Sequence, residues 1–469
     1  MPEGSVGRPP ERQMKPLDGT TISILGLGAS GAAAARLALD KGGEVYVSDS
    51  RIEPSAAAGA TELRKLGARV ELGGHDLGRV ARSDTVVVSP GIPPDAPVLQ
   101  ALRAAGRRWI SEPEFAFRFL DGPLIAVTGT NGKTTTAAMA AHLLRESGFS
   151  VGLGGNIGAD FGPPASALAL WDPVPDWFVV EVSSFQLADI EDFAPTIGVV
   201  TNLAPDHLDR YPSVESYYAD KARLFENATS ESTWILNADA PDVEVLAGEA
   251  LGRRLRFSVR GAEGSHAFLR DGELFLSLQE GEEDELLQDQ ELPTLGRHNT
   301  ANALTASLAA RVAGASISSI SLGLRGFTPL PHRLELVGTE GGRRWVNDSK
   351  ATNVAATVGA LESLEGPLVL LLGGKDKGEE LTALREALHE GVRAAVLFGE
   401  ARERMALALE GPVPLHLVDG SFEAAVAKAR ALSEEGDLLL LSPACSSFDM
   451  FENYAARGIR FSALARGEA

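Results

Sequence analysis

The sequence predicts an α/β protein of three domains: Rossmann-like at the N-terminus, a central phosphate-loop domain on a mostly parallel sheet, and Rossmann-like again at the C-terminus. Three observations predict it. Residues 124–136, Leu-Ile-Ala-Val-Thr-Gly-Thr-Asn-Gly-Lys-Thr-Thr-Thr, run from an apolar strand through a glycine turn into helix formers. A second glycine turn, Gly26-Leu-Gly-Ala-Ser-Gly31, follows the strand-like Thr21 to Leu25. Strand and helix signals alternate again from about Leu330 to Leu441. A length of 469 residues admits two to four domains. The boundaries fall at 1–16 for a tail, 17–111, 112–329 and 330–469.

Composition excludes several classes of function. The balance of 43 basic and 64 acidic residues, −21 in all, argues against general binding to nucleic acid or anionic membranes. An anionic ligand then needs a local basic cluster, which Lys133 heads. The single cysteine, Cys445, rules out an internal disulfide framework and fits a reducing compartment. It reads as a packed free thiol, with no activating histidine nearby in sequence. The longest apolar runs, such as Leu368 to Leu372 and Leu438 to Leu441, are too short to span a bilayer. The first 19 residues are rich in Pro, Gly and charge and lack the apolar core of a signal peptide. The tail is expected to be disordered, and Met14 offers a second start.

In chain order, the first glycine turn leads into a helix to Lys41 and a strand from Glu44 to Val47, which ends at Asp49-Ser50-Arg51. This is a dinucleotide-type fingerprint: glycines for close phosphate approach, an acid for ribose-like hydroxyls. Arg51 beside Asp49 adds a place for an anion. Val86-Val-Val-Ser-Pro-Gly-Ile92 ends another strand at the same carboxyl edge. The bland alternative is that the glycines serve helix–strand packing alone.

The first domain ends near Trp109 to Glu112, before the helical Pro113 to Phe119. In the phosphate loop, Gly129 and Gly132 let backbone N–H groups face an anion, and the helix N-terminus adds favourable partial charge. Lys133 reaches for the terminal phosphates, and the Thr134 hydroxyl for Mg²⁺. The signature's usual first glycine is replaced by Val127. Val151-Gly-Leu-Gly-Gly-Asn-Ile-Gly158 reads as a glycine-rich loop carrying Asn156. Glu181 ends the apolar run Trp177 to Val180, where a carboxylate is costly unless paired or bound to metal. Asp206, His207, Asp209 and Arg210 crowd the loop after strand Ile197 to Val200, a metal-proximal arrangement. The next helix, Ser213 to Asn227, carries Lys221, by itself a solvated helix lysine. Residues 233–260 read as strand, helix and strand. Residues 267–292 read as a hairpin turning at Asp271-Gly272, with the acidic run Glu280 to Glu285 as a solvated loop. Leu295-Gly-Arg-His-Asn-Thr-Ala-Asn302 opens a helix to Ala313, with Asn299 in its first turn.

In the third domain, Pro331-His-Arg333 precedes a strand to Val337. Trp345-Val-Asn-Asp-Ser-Lys-Ala-Thr-Asn353 then leads into a helix to Leu364. Strand Pro367 to Leu372 ends in Gly373-Gly-Lys-Asp-Lys-Gly378. Ser442-Pro-Ala-Cys-Ser-Ser-Phe-Asp449 precedes a C-terminal helix with Tyr454, Arg457 and Gly458.

Taken together, these stretches resemble the Mur ligase family over nearly the whole chain after about Leu17. The resemblance is carried by Thr128 to Thr134, Glu181-Val-Ser-Ser-Phe-Gln186, Asn202 to Arg210, Arg297-His-Asn299, Pro331-His-Arg333 and Asn347-Asp-Ser-Lys-Ala-Thr-Asn353. It accounts for the missing first glycine. The last stretch, with Ser442 to Asp449, is similar to the D-glutamate-adding branch, and the Asp-Asn-Pro-Arg motif of the diaminopimelate- and lysine-adding branches is absent.

The resemblance implies a cytoplasmic bacterial enzyme, a monomer, that adds D-glutamate to UDP-N-acetylmuramoyl-L-alanine with ATP and two Mg²⁺. It makes the first domain UDP-binding, with Ser30, Asp49, Ser50, Arg51 and Gly91 around uridine and diphosphate. Asn156, Ser183, Gln186 and His207 complete the sugar-nucleotide site. It gives Gly129, Thr130, Asn131, Gly132, Lys133, Thr134 and Thr135 to the ATP phosphates, Arg333 to the γ-phosphate, and Asn299 and Asp348 to adenosine. Thr134 and Glu181 become ligands of one Mg²⁺. His207 and Lys221, the latter carbamylated to N6-carboxylysine, become ligands of a second. Lys350, Thr352, Lys377, Ser447, Phe448 and Tyr454 fall on the D-glutamate pocket, with Lys375 as an alternative to Lys377. The family pattern has Leu at 448 and Phe at 454. Lys133, His207, Lys221 and Arg333 carry the catalytic roles. Two other readings compete: a related ligase (L-alanine-adding or folylpolyglutamate-type), and a non-catalytic nucleotide-sensing protein.

Overall fold

The structure, a computed structural model, describes residues 16–468 apart from Asp209, Glu280 and Glu365. The expectations for residues 1–15, with Met14, and for Asp209 lie outside the described residues. Each of the three domains is built on one sheet.

In the N-terminal domain the strands are β1 (Thr21–Leu25), β2 (Glu44–Asp49), β3 (Arg69–Leu72), β4 (Thr85–Val88) and β5 (Ile110–Ser111). They pair in parallel in the order β3-β2-β1-β4-β5. The order reverses between β1 and β4, and the crevice at such a reversal is where open α/β sheets bind ligands. Gly26 to Gly31 enters helix Ala29–Asp40 at that crevice.

The central domain holds β6 (Leu124–Thr128), β7 (Val151–Gly155), β8 (Trp177–Glu181), β9 (Ile197–Val200), β10 (Thr233–Asn237), β11 (Arg253–Ser258), β12 (Ala267–Arg270), β13 (Glu273–Leu276) and β14 (Asp284–Gln288). The sheet order is β14-β13-β12-β11-β10-β9-β6-β8-β7. Only the β12–β13 and β13–β14 pairs are antiparallel. Helix Lys133–Glu146 lies against helix Arg297–Val312, and Ala137, Ala140 and Ala141 on the first meet Ala303, Ala306 and Ala310 on the second in one buried cluster. Small side chains let the two axes approach closely.

In the C-terminal domain are β15 (Glu335–Glu340), β16 (Arg343–Asn347), β17 (Leu368–Gly373), β18 (Val392–Phe398), β19 (Leu415–Leu417) and β20 (Leu438–Leu441), ordered β15-β16-β20-β17-β18-β19, with only β15 antiparallel. Strand β17 shows why an unbroken apolar run marks a doubly covered strand. Leu368, Leu370 and Leu372 face one core while Val369 and Leu371 face the other, all with no exposure. Each such side chain contributes about 1.5–3 kcal/mol of burial.

Three local expectations are corrected. Val151 to Gly155 is not loop but β7, paired in parallel with β8. Its glycines are there for close approach: a Cβ on Gly154 would run into the Pro163 carbonyl, and one on Gly152 would press the Phe178 ring. The acidic run is exposed from Gly281 on, yet Asp284 and Glu285 pair in β14. The helix expected over Ser213 to Asn227 is α-helical only over Val214–Ala222, capped by Ser213, and tightens to a 3₁₀ turn at Arg223–Phe225.

Candidate active site

A cleft of about 1010 Å³ opens between the central and C-terminal domains. Its floor is set by strand register. Val127 on β6 lies opposite Glu181 on β8, and Thr128 lies opposite Val200 on β9. Three loops therefore leave the sheet at one carboxyl edge: the phosphate loop, the Glu181 turn and the Thr201–Arg210 loop.

The phosphate loop is held by that third loop. Asn131 N–H donates to Asn202 Oδ1 at 2.9 Å, and Thr201 Oγ1 donates to the Asn131 carbonyl at 2.6 Å. Gly129 and Gly132 take φ of 134° and 80°; a Cβ on Gly129 would collide with Thr201 Oγ1. Lys133 Nζ folds back to the Thr130 carbonyl at 2.8 Å. Loss of hydration in the cleft lowers its pKa, against the pull of Glu181 and Asp206. Thr134 Oγ1 donates to Glu181 Oε2 at 2.7 Å, and Asn156 Nδ2 reaches Glu181 Oε1 at 3.4 Å. Thr135, just beyond, lines the cleft.

Lys221 is the sharpest departure from a residue-by-residue reading. It is 1% exposed, not solvated. Its Nζ donates to the Gly129 carbonyl at 2.7 Å and lies 4.5 Å from the centre of the Tyr217 ring. Burial pulls its pKa well below the ordinary lysine value, and Lys133 pulls in the same direction. His207, at φ 57°, sets its ring edge-on to Phe185 and Tyr217.

The C-terminal domain supplies the opposite wall. Arg333 sits between two positive-φ residues, His332 (64°) and Leu334 (45°), a strained turn of the kind found at functional sites. Asp348 holds that turn by accepting from Leu334 N–H at 3.2 Å and from Ser442 Oγ at 2.8 Å. Burial raises the Asp348 carboxyl to about 7. Lys350 Nζ stands 4.1 Å over the Tyr454 ring, and burial, then Arg333, lowers it to about 7. Thr352, Lys377 and Tyr454 line the same wall. Asn299 closes the cleft on the helix side, donating to the Leu295 carbonyl at 2.7 Å and accepting from Asn302 Nδ2 at 3.1 Å.

Some expected residues stand elsewhere. Ser447 is 2% exposed and Phe448 is 68% exposed, and neither lines the cleft. Lys375 is exposed and tied by backbone bonding to Ser446, whereas Lys377 enters the cleft. Ser183 and Gln186 bond each other in a reciprocal helix cap. In the N-terminal crevice, both Asp49 oxygens are engaged: by Leu27 N–H at 2.6 Å and by the Arg51 guanidinium at 2.8 and 3.0 Å. Burial would raise the carboxyl, but these donors outweigh it and hold it at about 2. Ser30 is half-buried at the crevice, while Ser50 and Gly91 are exposed there.

Residues given no role in the sequence bind the site together. Arg457, with no exposure, donates to Ser349 Oγ and to the Ser349 and Cys445 carbonyls at 2.9 to 3.1 Å, and so fixes the turn between Asp348 and Lys350. Cys445 is packed beneath it, its thiol pushed up to about 12 by burial. Asn353 meets Asp206 across the cleft. The signal for Asn353 was its position just before an apolar-periodic helix; Arg457 left none. A separate cavity of about 380 Å³ lies between the N-terminal and central domains.

Fold and site together define a three-domain nucleotide-dependent enzyme with a phosphate loop at a domain cleft. The Mur ligase middle domain profile matches residues 127–310, the Mur ligase glutamate ligase domain residues 332–445, and the Mur ligase MurD-like N-terminal domain residues 20–111. The chain belongs to the Mur ligase family. It is 42% identical to a UDP-N-acetylmuramoylalanine--D-glutamate ligase of Acidobacterium capsulatum, covering 96% of each chain. A ligase of the same name from Geotalea uraniireducens is 41% identical, covering 95% of this chain and 97% of that one. Among solved structures, a UDP-N-acetylmuramate-alanine ligase from Thermotoga maritima shares the fold with a TM-score of 0.59 at 18% identity, over 96% of this chain and 100% of that one. A MurF ligase of the same organism in complex with ADP gives 0.58 at 15% identity, over 95% and 97%.

Proposed function

We propose that the chain is an ATP-dependent ligase that joins D-glutamate to UDP-N-acetylmuramoyl-L-alanine in peptidoglycan precursor synthesis, releasing ADP and phosphate. The observation that carries this reading is one cleft shared by two domains. The phosphate loop and the Thr134–Glu181 pair stand on one side, and Arg333, Lys350 and Lys377 on the other.

A carboxylate is a poor acylating agent and must be activated. The L-alanine carboxylate oxygen bonds the γ-phosphorus as the bond to ADP breaks, which gives an acyl phosphate. The D-glutamate amine, its ammonium proton lost, then bonds the carbonyl carbon, and the C–O bond to phosphate breaks. Both steps concentrate negative charge, which Lys133 and Arg333 offset from opposite walls. Asn299 and Asp348 hold adenosine. Lys350, Thr352, Lys377 and Tyr454 receive D-glutamate. Ser30, Asp49, Ser50, Arg51 and Gly91, with Asn156, Ser183, Gln186 and His207, receive the sugar nucleotide.

The donor set suits Mg²⁺. Among the described residues no group of three or more His, Cys, Asp or Glu is gathered for a metal; Thr134 and Glu181 would hold one ion beside the ATP phosphates. His207 and Lys221, the latter as its carbamate, would hold a second. The buried Lys221 amine favours the neutral form that adds to CO₂ with loss of a proton, and the carbamate is an anionic oxygen ligand. Bound Mg²⁺ neutralises phosphate charge in this cleft. The enzyme acts as a monomer in the bacterial cytoplasm, where ATP is supplied; no described helix is long and apolar enough to cross a membrane.

The test is phosphate release from ATP with UDP-N-acetylmuramoyl-L-alanine and a panel of amino acids. D-glutamate alone should drive it. Release with UDP-N-acetylmuramate and L-alanine instead would make the chain an L-alanine-adding ligase, and no release with any acceptor would make it a nucleotide sensor.

A further inference from the structure

Several contacts cross the cleft, His298 Nδ1 with Ser363 Oγ at 3.2 Å among them, and one of them reaches the loops that hold phosphate. Asn353 caps helix Val354–Ser363, its Oδ1 accepting from Ala356 N–H at 2.8 Å. That bond fixes the amide plane, so the amide nitrogen has one direction left, toward the central domain. There it donates to Asp206 Oδ2 at 2.9 Å and lies 3.4 Å from Asn131 Oδ1 in the phosphate loop. Asn353 and Asp206 are 4% and 6% exposed. The second Asp206 oxygen accepts from His207 N–H at 2.8 Å and stands 3.7 Å from Lys377 Nζ.

Domains joined in one chain move relative to one another unless a contact fixes them. A buried hydrogen bond to a carboxylate is a strong selector of one arrangement, because leaving either group dry and unpaired is costly. Here the selecting bond joins a helix cap, which cannot rotate without losing the cap, to the loop that also holds the phosphate loop. A placement of the C-terminal domain that breaks the pair leaves Asp206 without this donor. We propose that the Asn353–Asp206 bond sets the register in which the C-terminal domain closes on the phosphate loop, making both positioning residues for transfer between nucleotide and amino acid. The inference rests on the ligase reading for its kinetic consequence, but not for its conformational one.

The test separates the two ends of Asn353. Serine and aspartate cap helices as well as asparagine does, so Asn353→Ser keeps the cap and loses the reach, and Asn353→Asp sets a carboxylate against Asp206. The exchange Asn353→Asp with Asp206→Asn restores an amide–carboxylate pair with its ends swapped. Thermal midpoints of Asn353→Ser and Asn353→Asp should stay within about 2 °C of the parent. Their kcat/KM for D-glutamate should fall at least about tenfold, Asn353→Asp the more. Small-angle scattering with a non-hydrolysable ATP analogue should show the parent compacting, Asn353→Asp staying extended, and the exchanged pair compacting again. Parental kcat/KM and compaction in Asn353→Ser and Asn353→Asp would overturn the proposal, and so would an exchanged pair no more compact than Asn353→Asp. A parent that compacts but transfers nothing to D-glutamate would instead remove the ligase reading and leave this inference standing.

Discussion

The Thr134 hydroxyl donates to Glu181 Oε2 at 2.7 Å, joining the first turn of the phosphate-loop helix to the end of the adjacent strand. The register that sets Val127 opposite Glu181 brings them together. Glu181 is 2% exposed and its hydrogen bonds come from the neutral donors Thr134 and Asn156, which leaves its carboxylate able to share a hard cation. Glu181→Gln should lower turnover about 10²–10³-fold and raise the Mg²⁺ concentration needed for half-maximal rate. Unchanged Mg²⁺ dependence in a titration of the variant would take Glu181 out of the metal site.

Lys133→Ala should abolish ATP-dependent product formation and leave binding of the sugar nucleotide within a few-fold, because the uridine diphosphate is assigned to the N-terminal domain and the ATP phosphates to the phosphate loop. Calorimetry with UDP-N-acetylmuramoyl-L-alanine decides it. A folded variant that no longer binds that substrate would mean the domains have been assigned the wrong ligands.

Amino-acid choice should follow charge. Lys350 and Lys377 stand on one wall of the cleft, and a buried cation left without a carboxylate penalises neutral analogues strongly. D-glutamine should be a poor acceptor, and L-glutamate should be one through misplacement of its α-carboxylate. Lys377→Met should narrow the gap between D-glutamate and D-glutamine, read as a ratio of kcat/KM values; an unchanged ratio would remove Lys377 from the pocket.

Stability should show one acid out of its range. Glu112 opens the central domain, accepts from Ser166 N–H and is buried, and burial lifts its carboxyl to about 7. The folded state therefore binds a proton that the unfolded state releases near pH 4.5. The stabilisation is complete below that pH and is lost as pH rises through 7. Glu112→Gln keeps an acceptor for Ser166 and removes the ionisation. Its advantage over the parent should vanish near pH 4, grow between about pH 4.5 and 7, and level off above 7 at about 3 kcal/mol, as measured by denaturant unfolding. A pH-independent difference would place the titration elsewhere.

Lys221→Ala should lose most activity, Lys221→Arg should not restore it, and acetate should rescue the alanine variant in part by filling the vacated carboxylate position. A guanidinium cannot carry a carbamate, so parental activity in Lys221→Arg would refute that role. If Lys221 acts only by packing under Gly129, acetate should have no effect.

What the sequence revealed was local. The phosphate loop, the β12–β13 hairpin at Asp271-Gly272 and the doubly buried β17 each carry their signal within a dozen residues. The glycines of β7 misled because glycine marks turns by default, while here it marks space needed by Phe178 and Pro163, which lie further along the chain. Lys221 reads as solvent-facing until the fold sets Tyr217 and Gly129 around it. Asn353 and Asp206 are 147 residues apart, and nothing in either neighbourhood announces the other. Ser447 and Phe448 were placed by resemblance alone, and the cleft is lined without them.

The assigned function rests on a route in which a carboxylate is activated as an acyl phosphate and captured by D-glutamate. It is tested most directly with UDP-N-acetylmuramoyl-L-alanine carrying ¹⁸O in its carboxylate. With ATP and D-glutamate, the released phosphate should carry one ¹⁸O atom by mass spectrometry, and omitting D-glutamate or replacing it with L-alanine should yield almost no phosphate. Unlabelled phosphate released at the full rate would mean that water, not the substrate carboxylate, attacks ATP, and would rule the acyl phosphate out.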